Sequence, residues 1–188
     1  TRPTLGGTWQ VLEPHLLHRH LHTSWMREMA GKTLLVVSPF NESIALMMRK
    51  GGTAIWGGAA ETMLPSTMQI KLVRPPVNIG GFVDTQKGDW RASLAEINDA
   101  VDAAGAFDLA LLSCGGLGML VAAHIRRAGR SAIYAGGAMQ LHFGVKGRRW
   151  DYPASPYKKA MANPEWVWPL PSERPPKRRE IDNSAYWS

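Results

Sequence analysis

The fold of this chain is decided by the stretch FDLALLSCGGLGMLVAAHIRRAGRSAIYA at residues 107–135. Within it, Phe107–Leu112 is an apolar run that predicts a buried strand, and Ser113–Gly118 is a tight, glycine-rich turn. Met119–Ala128 has the apolar spacing of an amphipathic helix, and Ser131–Ala135 predicts the next strand. A strand, a turn, a helix and a strand within about 30 residues form a βαβ unit, whose strands are parallel. The sequence therefore predicts an α/β fold with a Rossmann-like parallel sheet flanked by helices.

Upstream of this unit, several segments carry signals of further strands and helices. They are a strand at Thr33–Val37, a helix at Ser43–Lys50, a short strand at Ala54–Trp56 and a half-exposed strand at Met68–Val73. A second helix is predicted from Ser93 to about Ala104, with Ser93 as its N-cap and Glu96 completing a capping box. Strands that alternate with helices are typical of an α/β domain.

The chain has 188 residues and a single cysteine, which suits one domain without an intrachain disulfide. We divide it into an irregular N-terminal extension at 1–32, the Rossmann-like domain at 33–151 and an irregular, Pro- and Trp-rich C-terminal extension at 152–188. We expect the C-terminal extension to pack over the domain or over a partner. Both extensions are candidate surfaces for protein partners.

Neither a membrane span nor a secretory signal peptide is predicted from the sequence. No apolar run reaches the roughly 18 residues of a membrane span, and the N-terminus lacks a signal-peptide pattern. The chain starts with Thr1, so a targeting segment could already have been removed. We therefore expect no membrane span and favour an intracellular or organellar location.

Four histidines in the N-terminal extension suggest two alternatives. They are His15, His18, His20 and His22. Three of them could share one helical face, either as metal ligands or as polar groups of a surface helix. Because no cysteine or carboxylate completes a ligand set, we predict no metal site there.

The formal charge is +7, which favours anionic partners over cationic ones. Much of the excess lies in two clusters, one of Lys146, Arg148 and Arg149 and the other of Lys177, Arg178 and Arg179. Each cluster could hold phosphate groups or form an ordinary solvated surface. Nucleic-acid binding is disfavoured because no recognition motif accompanies the charge.

The glycine-rich turn Ser113–Gly118 is the first candidate ligand site, and Gly136-Gly137 repeats the pattern after the next strand. Open α/β sheets bind ligands at the carboxyl ends of their strands, where glycines let backbone N–H groups approach a phosphate. The alternative is a turn that needs glycine only for its backbone conformation. The chain lacks a P-loop motif. It matches the dinucleotide fingerprint poorly, since Val121 holds the third glycine position.

A second candidate feature is the basic segment that follows, in which Arg148 and Arg149 precede Trp150. Guanidinium groups suit a diphosphate, and the indole could stack on a base or sugar. Cys114, in the first turn, is a weaker candidate as a nucleophile. Its only nearby bases in sequence are His124 and His142.

Residues 107–151 also carry a family resemblance. The matching features are Ser113-Cys114-Gly115-Gly116, Gly118, Ala122-Ala123, Ala135-Gly136-Gly137, Gln140 and Phe143–Trp150, with weaker matches at Val37–Phe40, Ser43-Ile44, Arg74-Pro75-Pro76 and Tyr186-Trp187. On these residues the chain resembles bacterial proteins of surface-polysaccharide gene clusters. Those proteins are similar to the GT-D type of glycosyltransferase domain.

The resemblance implies a domain that binds a nucleotide-sugar or a related anionic ligand. The ligand-binding residues it implies are Ser38, Ser113, Gly115, Gly116, Gly118, Gly136, Gly137, Gln140, Lys146, Arg148, Arg149 and Trp150. The candidate catalytic bases are Glu42 and Asp151.

One feature of GT-D enzymes is missing from the chain, namely their acidic D-x-E motif, which holds a metal on the diphosphate. Ser38–Ser43 stands in its place and contains only Glu42. No cofactor is assigned. The alternative to a glycosyltransferase-like enzyme is a non-catalytic subunit that kept the fold and uses its extensions and basic patches for protein interaction.

Overall fold

The computed structural model describes residues 24–76, 89–155, 157–176, 178–180 and 184–188. Its centre is a sheet of four parallel strands in the order β2-β1-β3-β4. The strands are β1 (Thr33–Val37), β2 (Gln69–Val73), β3 (Leu109–Leu112) and β4 (Ala132–Tyr134). In the register of the sheet, Val37 lies opposite both Val73 and Leu112, and Leu112 lies opposite Tyr134. The carboxyl ends of the strands therefore meet at one edge, and the predicted Rossmann-like α/β fold is confirmed.

Helices and short 3-10 turns connect the strands. Within the described ranges the α-helices are α1 (Asn41–Lys50), α2 (Gly52–Trp56), α3 (Ala60–Met63), α4 (Trp90–Ala103), α5 (Gly118–Arg127), α6 (Met139–His142) and α7 (Lys158–Met161). The 3-10 turns are Trp25–Met29, Gly57–Ala59, Gly115–Leu117, Arg148–Trp150, Pro171–Glu173 and Arg178–Glu180. No helix of the described residues is long and apolar enough to cross a membrane.

Both faces of the sheet are buried, as the continuous apolar runs of its central strands require. Along β1, Leu34 and Val36 enter one core cluster, whereas Leu35 and Val37 enter the other. Apolar side chains of α4 and α5 cover the second face, among them Ile97, Val101, Val121 and Ile125. The first face packs against α1 and against aromatic residues from the C-terminal part of the chain.

The described part of the C-terminal extension packs onto the domain, as expected. Trp166 and Trp187 are 3% and 1% exposed and belong to the core cluster of the first face. The indole N–H of Trp166 donates to the carbonyl of Ile55 at 2.9 Å. Trp166 and Trp187 of the C-terminal extension therefore complete the core on this face of the sheet. The four histidines of residues 15–22 and Lys177 lie outside the described residues.

The strand predicted at Ala54–Trp56 is wrong, since these residues belong to helix α2. A run of three apolar residues has no period that distinguishes a strand from a helix. Gly51, with a φ of +88°, ends α1, and the chain then resumes a helical turn. That turn buries Ile55 and directs the indole N–H of Trp56 to the carbonyl of His142.

The N-cap predicted at Ser93 is also wrong, because α4 begins three residues earlier. Its cap is Asp89, whose carboxylate accepts from the N–H of Arg91 at 2.9 Å and of Ala92 at 3.3 Å. Aspartate is among the strongest N-caps. The hydrogen bond from the Arg91 side chain lowers the pKa of Asp89. Ser93 is instead a buried residue of the first helical turn.

Candidate functional site

A pocket of about 130 Å³ lies at the carboxyl ends of β1, β3 and β4. The two glycine turns contribute Ser113, Gly115, Gly136 and Gly137 to its lining, and the loop after β1 contributes Pro39 and Phe40. The remaining lining residues are Tyr134, Tyr186 and Trp187. The pocket occupies the place where open α/β sheets bind ligands, and its surface is mainly aromatic rings and glycine backbone.

The two glycine turns have similar backbone conformations. Gly115 and Gly136 each follow a strand closely and have φ values of +59° and +63°, which favour glycine. The N–H groups of Gly136 and Gly137 make no hydrogen bond within the described residues. Consecutive N–H groups in such a turn form a concavity that suits an anion. This turn therefore offers donors to a ligand in the pocket.

Two other glycines are required for close packing against aromatic rings. A Cβ atom on Gly118 would lie 2.5 Å from the ring of Tyr134, and one on Gly137 would lie 2.1 Å from the ring of Tyr186. Gly118 is buried beneath Tyr134, so its role is to support the wall of the pocket. Gly137 forms the surface on which the Tyr186 ring lies.

The predicted basic segment contacts the pocket through Tyr186. The Arg149 guanidinium donates to the Tyr186 hydroxyl at 2.7 Å, and the Arg149 N–H donates to the carbonyl of Ala185 at 2.6 Å. The Trp150 ring lies 5.8 Å from the Tyr186 ring, centroid to centroid. Gln140 is fully buried and donates from Nε2 to the carbonyls of Lys146 and Tyr186 at 2.7 and 3.3 Å. These residues hold the C-terminal segment in place.

Four other predicted ligand-binding residues do not line the pocket. Ser38 is buried, and its hydroxyl accepts from the N–H of Phe40 at 3.2 Å. Gly116 and Arg148 are exposed, and Lys146 is half-buried. Arg148 precedes Arg149 in one 3-10 turn, and its side chain is exposed.

The two candidate catalytic carboxylates are engaged elsewhere. Glu42 pairs with Arg74 at 3.1 Å and accepts from the Ser172 hydroxyl at 2.5 Å. Asp151 pairs with Lys158 at 2.5 Å. Neither residue lines the pocket, and no described residue that does so carries a carboxylate.

Glu173 is a buried carboxylate that sequence reasoning missed. It is 2% exposed and accepts from the N–H groups of Glu42 at 2.8 Å and Ser43 at 3.1 Å, at the first turn of α1. The Ser43 hydroxyl donates to it as well. A helix N-terminus after a strand is where a Rossmann-like fold can bind a phosphate. Here the chain's own carboxylate fills that position.

Cys114 stands beside the pocket as a protonated thiol. Burial raises its pKa to about 11, although a helix N-terminus would by itself favour the thiolate. His124, one of the two bases considered for it, is bound by the Asp102 carboxylate at 3.0 Å. Burial also raises the pKa of Tyr134, and the charges of Cys114 and Tyr186 add to this effect. The arrangement does not support a nucleophilic cysteine.

We expect iodoacetamide to alkylate Cys114 slowly in the native protein at pH 8, with a rate that rises as the pH approaches about 11. An unfolded cysteine has a pKa of about 8.5, so the same reaction in urea should be fast at pH 8. The Cys114 thiol binds its proton more tightly in the folded than in the unfolded state, and this difference stabilises the folded state. The stabilisation is complete below about pH 8.5 and is lost as the pH rises through the folded pKa. Rapid alkylation of the native protein at pH 7 would show a stabilised thiolate instead.

Within the described ranges, no three His, Cys, Asp or Glu side chains come together in a group that could hold a metal ion. The Arg149 guanidinium, which donates to the Tyr186 hydroxyl, places a positive charge at a wall of the pocket.

The aromatic walls of the pocket were not among the predicted site residues. Phe40 follows β1, and Tyr134 is the last residue of β4. Tyr186 and Trp187 come from the C-terminal extension. An aromatic residue at the carboxyl end of a predicted strand was the available signal for Phe40 and Tyr134. The position of Tyr186 depends on a contact across about fifty residues of sequence, which no local pattern shows.

Comparison of the chain with protein-family models, with curated proteins and with solved structures found no match.

Proposed function

We propose that this chain binds a nucleotide-sugar or a related anionic ligand at the carboxyl edge of its sheet, in the manner of a glycosyltransferase-like domain. The observation that supports it most is the pocket between the two glycine turns, where the N–H groups of Gly136 and Gly137 are available to an anion. Arg148, an exposed residue next to the Arg149 that binds the Tyr186 hydroxyl, is the positive charge that we assign to the ligand. Because Glu173 already occupies the N-terminus of α1, we place the ligand's phosphates at the turns after β3 and β4.

A second candidate function is binding without transfer, as in a non-catalytic subunit. It is favoured by the positions of Glu42 and Asp151, which are paired with basic residues outside the pocket. A glycosyl transfer that uses general-base catalysis needs a base within hydrogen-bonding reach of the acceptor. The polar side chains that line the pocket are those of Ser113, Tyr134, Tyr186 and Trp187, and none is a carboxylate.

Thermal shift with a panel of nucleotide-sugars, with and without Mn²⁺, tests the proposal. A ligand at about 100 times its Kd stabilises the folded state by about 2.7 kcal/mol, so one member should raise the Tm by about 5 °C or more. Arg148→Ala should abolish that shift. Arg127→Ala is the matched control, since it removes the same charge from the last turn of α5, at the opposite edge of the sheet.

The absence of a shift with every nucleotide-sugar would contradict the proposal. Where one member does bind, incubation with it followed by assay of released nucleoside diphosphate separates the two candidate functions. Release that requires Arg148, with water accepting the glycosyl group, would support the enzyme. Binding without release, also when mono- and oligosaccharide acceptors are added, would support the non-catalytic subunit.

A further inference from the structure

The pocket is too small for the ligand class that its position favours. Sites for drug-sized ligands enclose roughly 300–1,000 Å³, whereas a cavity of roughly 150 Å³ holds a single benzene-sized ring. The pocket of about 130 Å³ therefore admits one ring or one phosphate group. A nucleotide-sugar would extend out of this half-open pocket unless part of the wall moves.

The walls differ in how firmly they are held. Phe40 and Trp187 are 2% and 1% exposed, and their rings pack edge to face at 5.8 Å. The Trp187 indole N–H also donates to the carbonyl of Glu173 at 3.0 Å. Tyr186 is only half-buried, although its neighbour in sequence is fixed. Tyr134, at 40% exposed, is less buried still, but it ends β4 and its ring packs against the buried Gly118. Of the two walls that the C-terminal segment contributes, Tyr186 is therefore the one whose side chain can move while Trp187 keeps that segment attached.

The contacts of Tyr186 resemble those of a bound ring. Its ring atoms Cδ1, Cε1 and Cζ lie close to the backbone of Gly137, which has no side chain to oppose them. Its hydroxyl accepts from the Arg149 guanidinium, and that guanidinium carbon lies 5.5 Å from the ring centroid. Trp150 flanks it at 5.8 Å. All three neighbours are among the residues that the resemblance implies for ligand binding.

We propose that Tyr186 is an internal occupant of the ring-binding part of this site. The external ligand is one whose planar ring carries an oxygen acceptor, takes the place of the phenol on Gly137 and accepts the hydrogen bond from Arg149. This inference rests on the proposed function and adds to it the chemical class of the ring and the step that admits it. Only the molecules in which Tyr186 has left the site can bind the ligand. The apparent affinity of the wild type is therefore the intrinsic affinity multiplied by the fraction of such molecules.

Binding of uridine, cytidine, adenosine and guanosine diphosphate, measured by titration calorimetry on the full chain, tests the inference. With the closed form favoured about tenfold, Tyr186→Ala should bind uridine, cytidine or guanosine diphosphate about ten times more tightly than the wild type. Adenosine diphosphate should show no such gain, because adenine carries no oxygen to accept from Arg149. Tyr186→Phe keeps the ring but loses the hydrogen bond to Arg149, so it should give a smaller gain in the same direction. Tyr186→Phe also tests the inference if Tyr186→Ala folds poorly. Tyr152→Ala, which removes an exposed tyrosine outside the pocket, should leave the affinity unchanged.

The outcomes separate the inference from the function on which it rests. If the wild type binds and both Tyr186 variants bind equally or more weakly, Tyr186 is a fixed wall of the site. The inference then fails while the proposed function stands. If no diphosphate binds the wild type or either Tyr186 variant, both fail. Tighter binding by Tyr186→Ala, or measurable binding by that variant alone, supports the inference.

Discussion

Replacing Glu173 with alanine should lower the free energy of unfolding by roughly 3 kcal/mol or more, a fall in Tm of about 6–12 °C for a chain of this length. The carboxylate accepts from the N–H groups of Glu42 and Ser43 and from the Ser43 hydroxyl. It also accepts from the N–H of Leu170 at 3.3 Å. Removing it leaves these donors without their acceptor in a site from which water is excluded, and each unsatisfied donor costs about 1–3 kcal/mol.

Urea unfolding followed by far-UV circular dichroism measures this change, and two variants calibrate it. Glu173→Gln keeps the shape and one acceptor oxygen but loses the negative charge at the helix N-terminus, so we expect about half of the alanine effect. Glu165→Ala removes an exposed carboxylate that pairs with Lys50, and it should cost less than about 1 kcal/mol. Equal losses for Glu173→Ala and Glu165→Ala would show that Glu173 does not anchor the C-terminal part of the chain.

The position of Glu173 also bears on where an anionic ligand can bind. Because its carboxylate binds the first turn of α1 and its carbonyl accepts from Trp187, one residue links the β1–α1 connection to a wall of the pocket. A phosphate bound at α1 would have to displace a buried carboxylate with four donors. The turns after β3 and β4 have no such internal anion among the described residues, which is why we place an anionic ligand there.

The spacing of apolar residues along the sequence predicted most of the fold. The strands at Thr33–Val37 and within Phe107–Leu112, the helix that follows the glycine turn, and the parallel arrangement all follow from apolar spacing and glycine positions. The carboxyl edge of the sheet was likewise predictable as the place of the glycine turns, since parallel strands end together. Local patterns failed where the run was short, at Ala54–Trp56, and where a better cap stood outside the expected helix, at Asp89.

The contents of the site were harder to predict because they depend on contacts distant in sequence. Glu173 reaches Glu42 and Ser43 across about 130 residues, and Tyr186 reaches Gly137 and Arg149 across 49 and 37. No helical or strand period encodes such pairs. For the same reason Glu42 was considered as a free base, although its carboxylate is bound by Arg74 and Ser172. The whole C-terminal segment had the composition of an extension, yet its aromatic residues complete the core.

Gly137→Ala should destabilise the chain by about 1–1.5 kcal/mol, because the new Cβ atom would overlap the Tyr186 ring and force it out of a position that is favoured about tenfold. The ideal Cβ position is 2.1 Å from Cε1 and 2.8 Å from Cζ of that ring. Gly116→Ala is the matched control, since it lies in the other glycine turn with no atom near its Cβ position. That variant should change the free energy of unfolding by less than about 0.5 kcal/mol.

A double-mutant cycle with Tyr186→Ala isolates the contact. Once the ring is gone, Gly137→Ala should cost close to nothing, so the coupling energy between the two positions should equal most of the single-variant loss. A cost that persists in the Tyr186→Ala background would mean that the methyl group disturbs the turn itself rather than the ring. The cycle therefore tests the seating of Tyr186 on Gly137 by stability alone, without any ligand.

The same double variant decides where a ligand ring lies. If the ring replaces Tyr186 on the Gly137 backbone, the methyl group of Gly137→Ala obstructs it as it obstructs the phenol. The tighter nucleoside diphosphate binding expected of Tyr186→Ala should then disappear in the double variant, although the double variant is no less stable than Tyr186→Ala. Tight binding that survives the methyl group would place the ring elsewhere in the pocket, against Phe40 or Tyr134, and would leave Tyr186 as a lid over the site rather than a substitute for its ligand. In the Tyr186→Ala background, Gly137→Ala should therefore change ligand affinity without changing stability. The affinity of the double variant distinguishes Tyr186 as a substitute for the ligand ring from Tyr186 as a lid.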